Sequence, residues 1–247
     1  MHLKEHASAL VEENESFASY LFGESSGVFV TCEHASEGVP DGWLWPTEDA
    51  RLRGTHWAYD LGAEAVALEY AAAVKARLVC ARFSRLLADP NRAEDSPTLF
   101  RPFCDGVAVA LNTNITAADR EARLERLYRP LHRELGLGAT RSQRAHTLFS
   151  IHSFTPLYEG EHRAMEVGVL FDREESLAAA MIMALDDAGF AVRANEPWSG
   201  KDGLMYVADT HSAAHGLRAL ELEVRQDLAV DPAFRARLIP VLARVLF

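Results

Sequence analysis

Four side chains in this 247-residue sequence have the types and positions to do chemistry together: His34, Asp60, His152 and Glu223. Two imidazoles and a carboxylate form a donor set for a divalent metal ion. Zinc is the best fit, because it takes neutral nitrogens and carboxylate oxygens and in catalytic sites keeps one position for water. A further carboxylate, Glu223, can then take a proton from that water and pass it to a leaving nitrogen. The third ligand is open at this level. Glu37 completes an H-x-x-E with His34 inside HASE, and Asp60 opens the run YDLGAEAV, where a carboxylate suits a helix N-terminus. Taken singly, each has a plainer reading. A histidine after a strand is commonly a hydrogen-bonded structural residue, Asp60 reads as a helix N-cap, and Glu223 with Arg225 reads as a solvated pair on an edge strand. The coincidence of all four at strand or helix ends carries the argument.

Other combinations offer less. His211 and His215 are four apart and share a helix face, a spacing that can bind zinc, but few other ligands lie near them, so His211 reads as substrate-contacting or structural. His132 reads as packing or a hydrogen bond, and His2 and His6 as solvated. Cys32, two residues before His34, reads as packed core. There is no G-x-S-x-G elbow, phosphate loop or dinucleotide fingerprint.

These residues need elements to position them. GVFVTC is a β-branched apolar run and predicts a buried strand over Gly27–Cys32, with Glu33 and His34 in the loop beyond. EGVPDGWLWPTED predicts an irregular loop, and a helix is expected from about Asp60 to Lys75. RLVCARF is a second strand, and Asp89, Asn91 and Arg92 follow it. AADREARLERLYRPLHREL is an amphipathic helix. HTLFSIHSF is a strand ending near His152, MEVGVLFD another, followed by the helix REESLAAAMIMALDDAG. FAVRANEP is a strand, LMYVADTHSAAHG a helix, and RALELEVRQD the strand that carries Glu223 and Arg225. DPAFRARLIPVLARVLF is a closing helix, with Asp231 as its cap and Pro232 in its first turn. The first 25 residues read as a helical N-terminal extension. Strands alternate with helices, which predicts one α/β domain, a three-layer sandwich with a mostly parallel mixed central sheet. Ligands bind such sheets at the carboxyl ends of their strands, and the ionisable residues above follow strand ends.

Composition bounds the partners. The hydrophobic fraction of 49% and charged fraction of 25% are globular and argue against disorder. A formal charge of -11 repels phosphates, so nucleic acid and anionic membrane are not expected partners. Three widely spaced cysteines suggest neither a disulfide framework nor a zinc ribbon. The segment MHLKEHASALVEENESF has no apolar stretch of the kind a signal peptide carries, and no run suits a membrane span, so a reducing cytoplasm is the expected address.

The motifs VTCEHASEGVP, YDLGA, SRLLADPNR, IHSFTP, NEPWS and LEVRQDL occur in that order. Together they resemble the N-formylglutamate amidohydrolase family, in particular its bacterial branch with a C-E-H-A start, from about Val28 to Leu228. The resemblance implies a zinc-carboxypeptidase-like (phosphorylase/hydrolase-like) fold, shared with aspartoacylases. It implies His34 and His152 as zinc ligands, favours Asp60 over Glu37 as the carboxylate ligand, and matches Glu223 to the catalytic glutamate. It matches Asn91-Arg92 to a pair that grips a substrate carboxylate, which a guanidinium can do with two parallel hydrogen bonds. Arg85 and Arg225 would add charge for a second carboxylate, Arg225 alternatively orienting Glu223, or either would form a structural ion pair. His211 would hydrogen-bond the oxyanion or the substrate.

The expected activity is metal-dependent hydrolysis of a small anionic N-acyl acidic amino acid. The example is N-formyl-L-glutamate, giving formate and glutamate, with the place in histidine degradation that this substrate implies. Two alternatives stand beside it: a metabolite-binding protein using the same pocket without catalysis, and a carboxypeptidase-like hydrolase of another N-acyl amino acid or a short peptide.

Overall fold

The computed structural model of the chain describes residues 9–24 and 26–246. It opens with strands β1 (Leu10–Glu13) and β2 (Phe17–Leu21), followed by β3 (Val28–Cys32), helix α1 (Ala63–Ala73) and β4 (Arg77–Ala81). A two-stranded ribbon, β5 (Phe103–Cys104) and β6 (Val107–Ala108), precedes α2 (Ala117–Arg123), which continues through a π turn into α3 (Arg129–Arg141). Then come β7 (Thr147–Phe154) and a second ribbon, β8 (Leu157–Tyr158) and β9 (Glu161–His162). The chain closes with β10 (Val167–Leu170), α4 (Glu175–Asp187), β11 (Val192–Ala194), α5 (Tyr206–His215), β12 (Arg218–Arg225), α6 (Gln226–Ala229) and α7 (Pro232–Leu246).

Eight strands form one sheet in the order β1-β2-β4-β3-β7-β12-β10-β11. β3, β4, β7 and β12 are mutually parallel neighbours, β10 pairs parallel with β11, and the antiparallel pairings are β1–β2, β2–β4 and β10–β12. The expected α/β sandwich with a mostly parallel mixed sheet is the fold observed. Its central strands are buried on both faces: all five residues of β3 and all eight of β7 are inaccessible, as strands covered by helices on two sides must be.

Side-chain alternation along each strand divides the interior in two. Val28, Val30, Phe149, Ile151, Leu220, Leu222 and Val224 pack with α1, α4 and α7 on one face. Phe29, Val79, Leu148 and Ala219 pack with α3 and α5 on the other. The candidate site grows from this second face.

Three sequence expectations are corrected. The N-terminal segment is not helical over Leu10–Leu21: it is a hairpin whose second strand is almost wholly buried against β4. Its acidic residues favour a helix locally, but β4 has an unpaired edge, and pairing that edge outweighs local propensity. Residues 1–8, with His2 and His6, lie outside the described residues. The helix expected from Asp60 begins at Ala63, with Gly62 as its N-cap. The amphipathic helix over 117–135 is interrupted by the π turn Leu124–Tyr128 just before Pro130. Proline has no N–H for the ladder, and a π turn absorbs that loss. The three cysteines are buried free thiols, Asp231 caps α7 through the Ala233 N–H at 2.9 Å, and among the described residues no helix is long and apolar enough to cross a membrane.

Gly138 lets α3 lie close on the sheet. A Cβ there would meet the Phe29 ring at 2.7 Å. Gly138→Ala should therefore destabilise the protein by about 1–3 kcal/mol through overpacking, read as a lower urea midpoint. An unchanged midpoint would count against so tight a contact.

Candidate active site

Strand register brings the first polar groups together. Thr31 lies opposite Ser150, Ser150 opposite Glu221, and His152 opposite Glu223 across the parallel β3–β7–β12 ladder. Period two sends Ser150, His152, Glu221 and Glu223 to the same face, and the chain leaves β3 so that Glu33 joins them. The Glu33 carboxylate accepts from Thr31 Oγ1 at 2.6 Å and Ser150 Oγ at 2.7 Å.

Asp60 arrives from the other side. Its backbone N–H donates to the His34 carbonyl at 2.9 Å, and its carboxylate accepts from the Ser153 N–H at 3.2 Å. Ser153 Oγ in turn donates to the Leu61 carbonyl at 2.8 Å. Gly62 makes the turn possible: its φ is +80°, and a Cβ would strike Ala229 at 2.6 Å. Asp60 is thus aimed inward at two histidines and does not cap the helix.

Both imidazoles turn Nδ1 toward Asp60, with their ring planes at 77° to each other. His34 Nδ1 lies 3.5 Å and His152 Nδ1 2.9 Å from Asp60 Oδ2. Their Nε2 atoms face carboxylates, His34 at 2.7 Å from Asp89 Oδ1 and His152 at 2.9 Å from Glu33 Oε2. Carboxylates behind histidines fix the tautomer and ring position of metal ligands. His34 Nδ1 is buried and without a hydrogen-bond partner among the described residues. One donor atom from each of His34, Asp60 and His152 fits within 4.8 Å of the others. Two nitrogens and a carboxylate with carboxylates behind the nitrogens fit a divalent ion of the zinc type. A second such group, His152, Glu221 and Glu223, shares the histidine.

The carboxylates divide by environment. Burial opposes ionisation of all of them. At Asp60 it is overcome by His34 and His152, and at Asp89 by Arg85 and His34, so both carboxyls are held well below the usual range. Burial also works against Glu33, but His152, Thr31 and Ser150 bring it down to about 2. Glu221 and Glu223 lack such donors and have buried oxygens without hydrogen-bond partners. Burial pushes Glu221 up to about 7 and Glu223 well above its ordinary value, with neighbouring carboxylates adding to both shifts.

A cavity of about 330 Å³ opens over these groups, lined by His34, Asp60, His152, Glu221 and Glu223 and by Arg85, Asn91, Arg92, Arg101 and Arg163. Arg85 faces inward, donating to Asp89 Oδ2 from Nε at 3.1 Å and Nη2 at 2.7 Å, with Asp60 at 3.5 Å. It supports the carboxylate behind His34. Arg92 donates to its neighbour's carbonyl, Asn91 O, at 2.6 Å. The Asn91 amide is committed to the Val207 N–H at 2.9 Å and the Leu204 carbonyl at 3.4 Å. It therefore braces the loop before α5, where the motif suggested a second donor to substrate.

Three sequence candidates are not brought to the cavity. The Glu37 carboxylate accepts from the Gly54 N–H at 2.6 Å, because the turn at Ser36–Gly38 aims it into the neighbouring loop. Arg225 is paired with Asp227 at 2.8 Å and donates to the carbonyls of Arg163, Ala164 and Met165, so it neither faces ligand nor touches Glu223. His211 Nε2 lies 3.1 Å from His132 Nδ1, and His132 Nε2 lies 3.1 Å from the Pro90 carbonyl. Burial, with His132 beside it, lowers His211 to about 4. Its position suits support of the Asp89–Arg92 turn.

The residues that sequence reasoning missed are Glu221, Arg101 and Arg163. Glu221 was legible, being two residues from Glu223 on the same strand face. The two arginines sit in irregular chain and carry no local signal.

The family model of N-formylglutamate amidohydrolase matches residues 26–230 of the chain. A solved gene product of Agrobacterium tumefaciens is 30% identical, with a TM-score of 0.87 over 94% of this chain and 94% of its own. The solved N-formylglutamate amidohydrolase of Ralstonia eutropha has the same fold, with 20% identity and a TM-score of 0.71 over 94% of this chain and 98% of its own. No curated protein matches the chain.

Glu221 sets a pH dependence. Its carboxyl titrates at about 7 in the fold against 4.5 for an ordinary glutamate. Between those values the folded chain holds a proton that the unfolded chain has released, so this group lowers stability as pH rises through that window. In chelator-treated protein, Glu221→Gln should melt above wild type near pH 8, with the gain shrinking toward pH 5. A difference independent of pH would refute the assignment.

Proposed function

Because this chain belongs to the N-formylglutamate amidohydrolase family, we propose that it hydrolyses the amide bond of a small N-acyl acidic amino acid. The reference reaction takes N-formyl-L-glutamate and water to formate and L-glutamate. In this reading His34, Asp60 and His152 hold a zinc ion. The observation that carries it is the pair of inward Nδ1 atoms converging on Asp60, each imidazole backed by its own carboxylate.

When bound, zinc supplies Lewis acidity that activates water and polarises an amide carbonyl. The chain's own groups do the rest. Asp89 pairs with His34 Nε2 and the Glu33 carboxylate lies 2.9 Å from His152 Nε2, so both rings turn Nδ1 toward Asp60 and the metal position. Glu223 removes a proton from the attacking water at its unpartnered Oε2. The water oxygen bonds to the acyl carbon, the C–N bond breaks, and Glu223 delivers the proton to the departing nitrogen. A glutamate whose proton affinity is raised by burial is suited to both halves of this transfer. Arg92 holds the substrate's α-carboxylate through its guanidinium. Arg85, already engaged with Asp89, stiffens the support behind His34.

Glu223→Gln should keep stoichiometric zinc by elemental analysis while kcat on N-formyl-L-glutamate falls by at least about 10²–10⁴-fold, the range that a general acid–base group supplies. Retained turnover in the zinc-loaded variant would remove Glu223 from this role. His152→Ala should lose the metal, and full occupancy in that variant would overturn the ligand set. Tight binding of N-formyl-L-glutamate by the wild-type zinc form without any formate release would favour a metabolite-binding protein instead.

A further inference from the structure

The arginines around the cavity differ in what already holds them. Arg85 is engaged by Asp89 and Asp60. Arg163 is not: Nη1 donates to the Thr155 carbonyl at 3.3 Å, and no carboxylate among the described residues forms an ion pair with it. Shortage of acid is not the reason, since the chain has 36 acidic against 25 basic residues. Arg82, Arg126, Arg129 and Arg235 all find carboxylates at 3.0 Å or closer.

Aromatic faces hold the Arg163 guanidinium instead. Its carbon lies 4.6 Å from the centre of the Tyr158 ring and 5.5 Å from those of Phe154 and Trp198, all cavity-lining residues. Such faces orient a guanidinium and strip its water without neutralising it. Burial accordingly lowers the proton affinity of Arg163, while its main electrostatic support is Glu223. A half-buried cation aimed into a ligand cavity and lacking a counter-ion is a receptor for an anion brought from outside. The other free guanidiniums form a separate pole: Arg101 feels Arg85 and Arg92, and stacks on Trp57 at 5.4 Å.

We propose that Arg163, clamped by Tyr158, Trp198 and Phe154, is a second anion subsite that reads the side-chain carboxylate of the substrate, in the same cavity as the α-carboxylate pole at Arg92. This rests on the amidohydrolase reading above and replaces Arg85 and Arg225 as readers of that group. The substrate class it implies is an N-acylated dicarboxylic amino acid.

The test compares N-formyl-L-glutamate with N-formyl-L-glutamine, the isostere whose side chain is neutral, in wild type, Arg163→Gln and Arg163→Lys, all zinc-loaded. Wild type should favour the glutamate substrate at least about tenfold in kcat/KM, as expected of a site built around a polar partner. Arg163→Gln should bring the two within about threefold by losing the glutamate substrate alone, and Arg163→Lys should restore part of the preference. Equal loss on both substrates, or an intact preference, would overturn the subsite. Calorimetric titration of the same proteins with glutarate and butyrate reads the subsite without turnover. Wild type should bind glutarate at least about tenfold more tightly than butyrate, and Arg163→Gln should abolish the difference. If wild type hydrolyses neither formyl substrate, the amidohydrolase reading fails, while the glutarate-to-butyrate ratio still decides for or against Arg163.

Discussion

The constraint on which this structure depends is a surplus of buried acid at the carboxyl ends of three neighbouring strands. Glu33, Asp60, Asp89, Glu221 and Glu223 are all nearly inaccessible, with His34, His152 and Arg85 among them. Isolated carboxylates cannot be kept charged in such a place. The protein solves part of the problem with its own donors: hydroxyls on Glu33, a guanidinium on Asp89 and imidazoles on Asp60. The unsolved part is equally specific. Among the described residues Glu221 and Glu223 have oxygens with no donor, and His34 Nδ1 and His152 Nε2 have no hydrogen-bond partner. The arrangement is complementary to a cation and to an exchangeable proton, which are the two things that hydrolysis of an amide requires.

The rest of the fold keeps these groups in register. Parallel pairing of β7 with β12 sets His152 beside Glu223, and the Asp60–Leu61–Gly62 turn is stitched to the end of β7 through Ser153. Behind the substrate side, His211, His132 and the Pro90 carbonyl form a chain that backs the Asp89–Arg92 turn. The histidines outside the metal group thus stabilise the loop that presents a cation to the cavity.

Global and local charge point in opposite directions. A net charge of -11 repels anions at long range. The cavity nevertheless presents Arg92, Arg101 and Arg163 beside its metal-type donor set. Short-range hydrogen-bonded recognition of a carboxylate by guanidinium outweighs a screened long-range field. A globally acidic surface is thus compatible with a cavity whose lining includes several guanidiniums.

Much of this was written in the sequence. Alternating strands and helices specified the α/β sandwich, and the strand-end positions of His34, His152 and Glu223 pointed to the candidate site, because both follow from periodicities of a few residues. YDLGA pointed to Asp60, with a helix cap as its plainer reading, and the folded turn shows the carboxylate leaving the helix to meet the histidines. Other outcomes depended on contacts between distant segments. The N-terminal residues became strands because β4 offered an edge. Glu37 and Arg225 turned to local partners, His211 to His132, and the Asn91 amide to Leu204 and Val207. Arg163 acquired its place from aromatic residues on two separate segments, Tyr158 of β8 and Trp198 of the loop after β11. Residue types and short spacings determine which groups reach a strand end. Which of them remain free to act is decided by whatever else packs within hydrogen-bond reach, and that is a property of the tertiary structure alone.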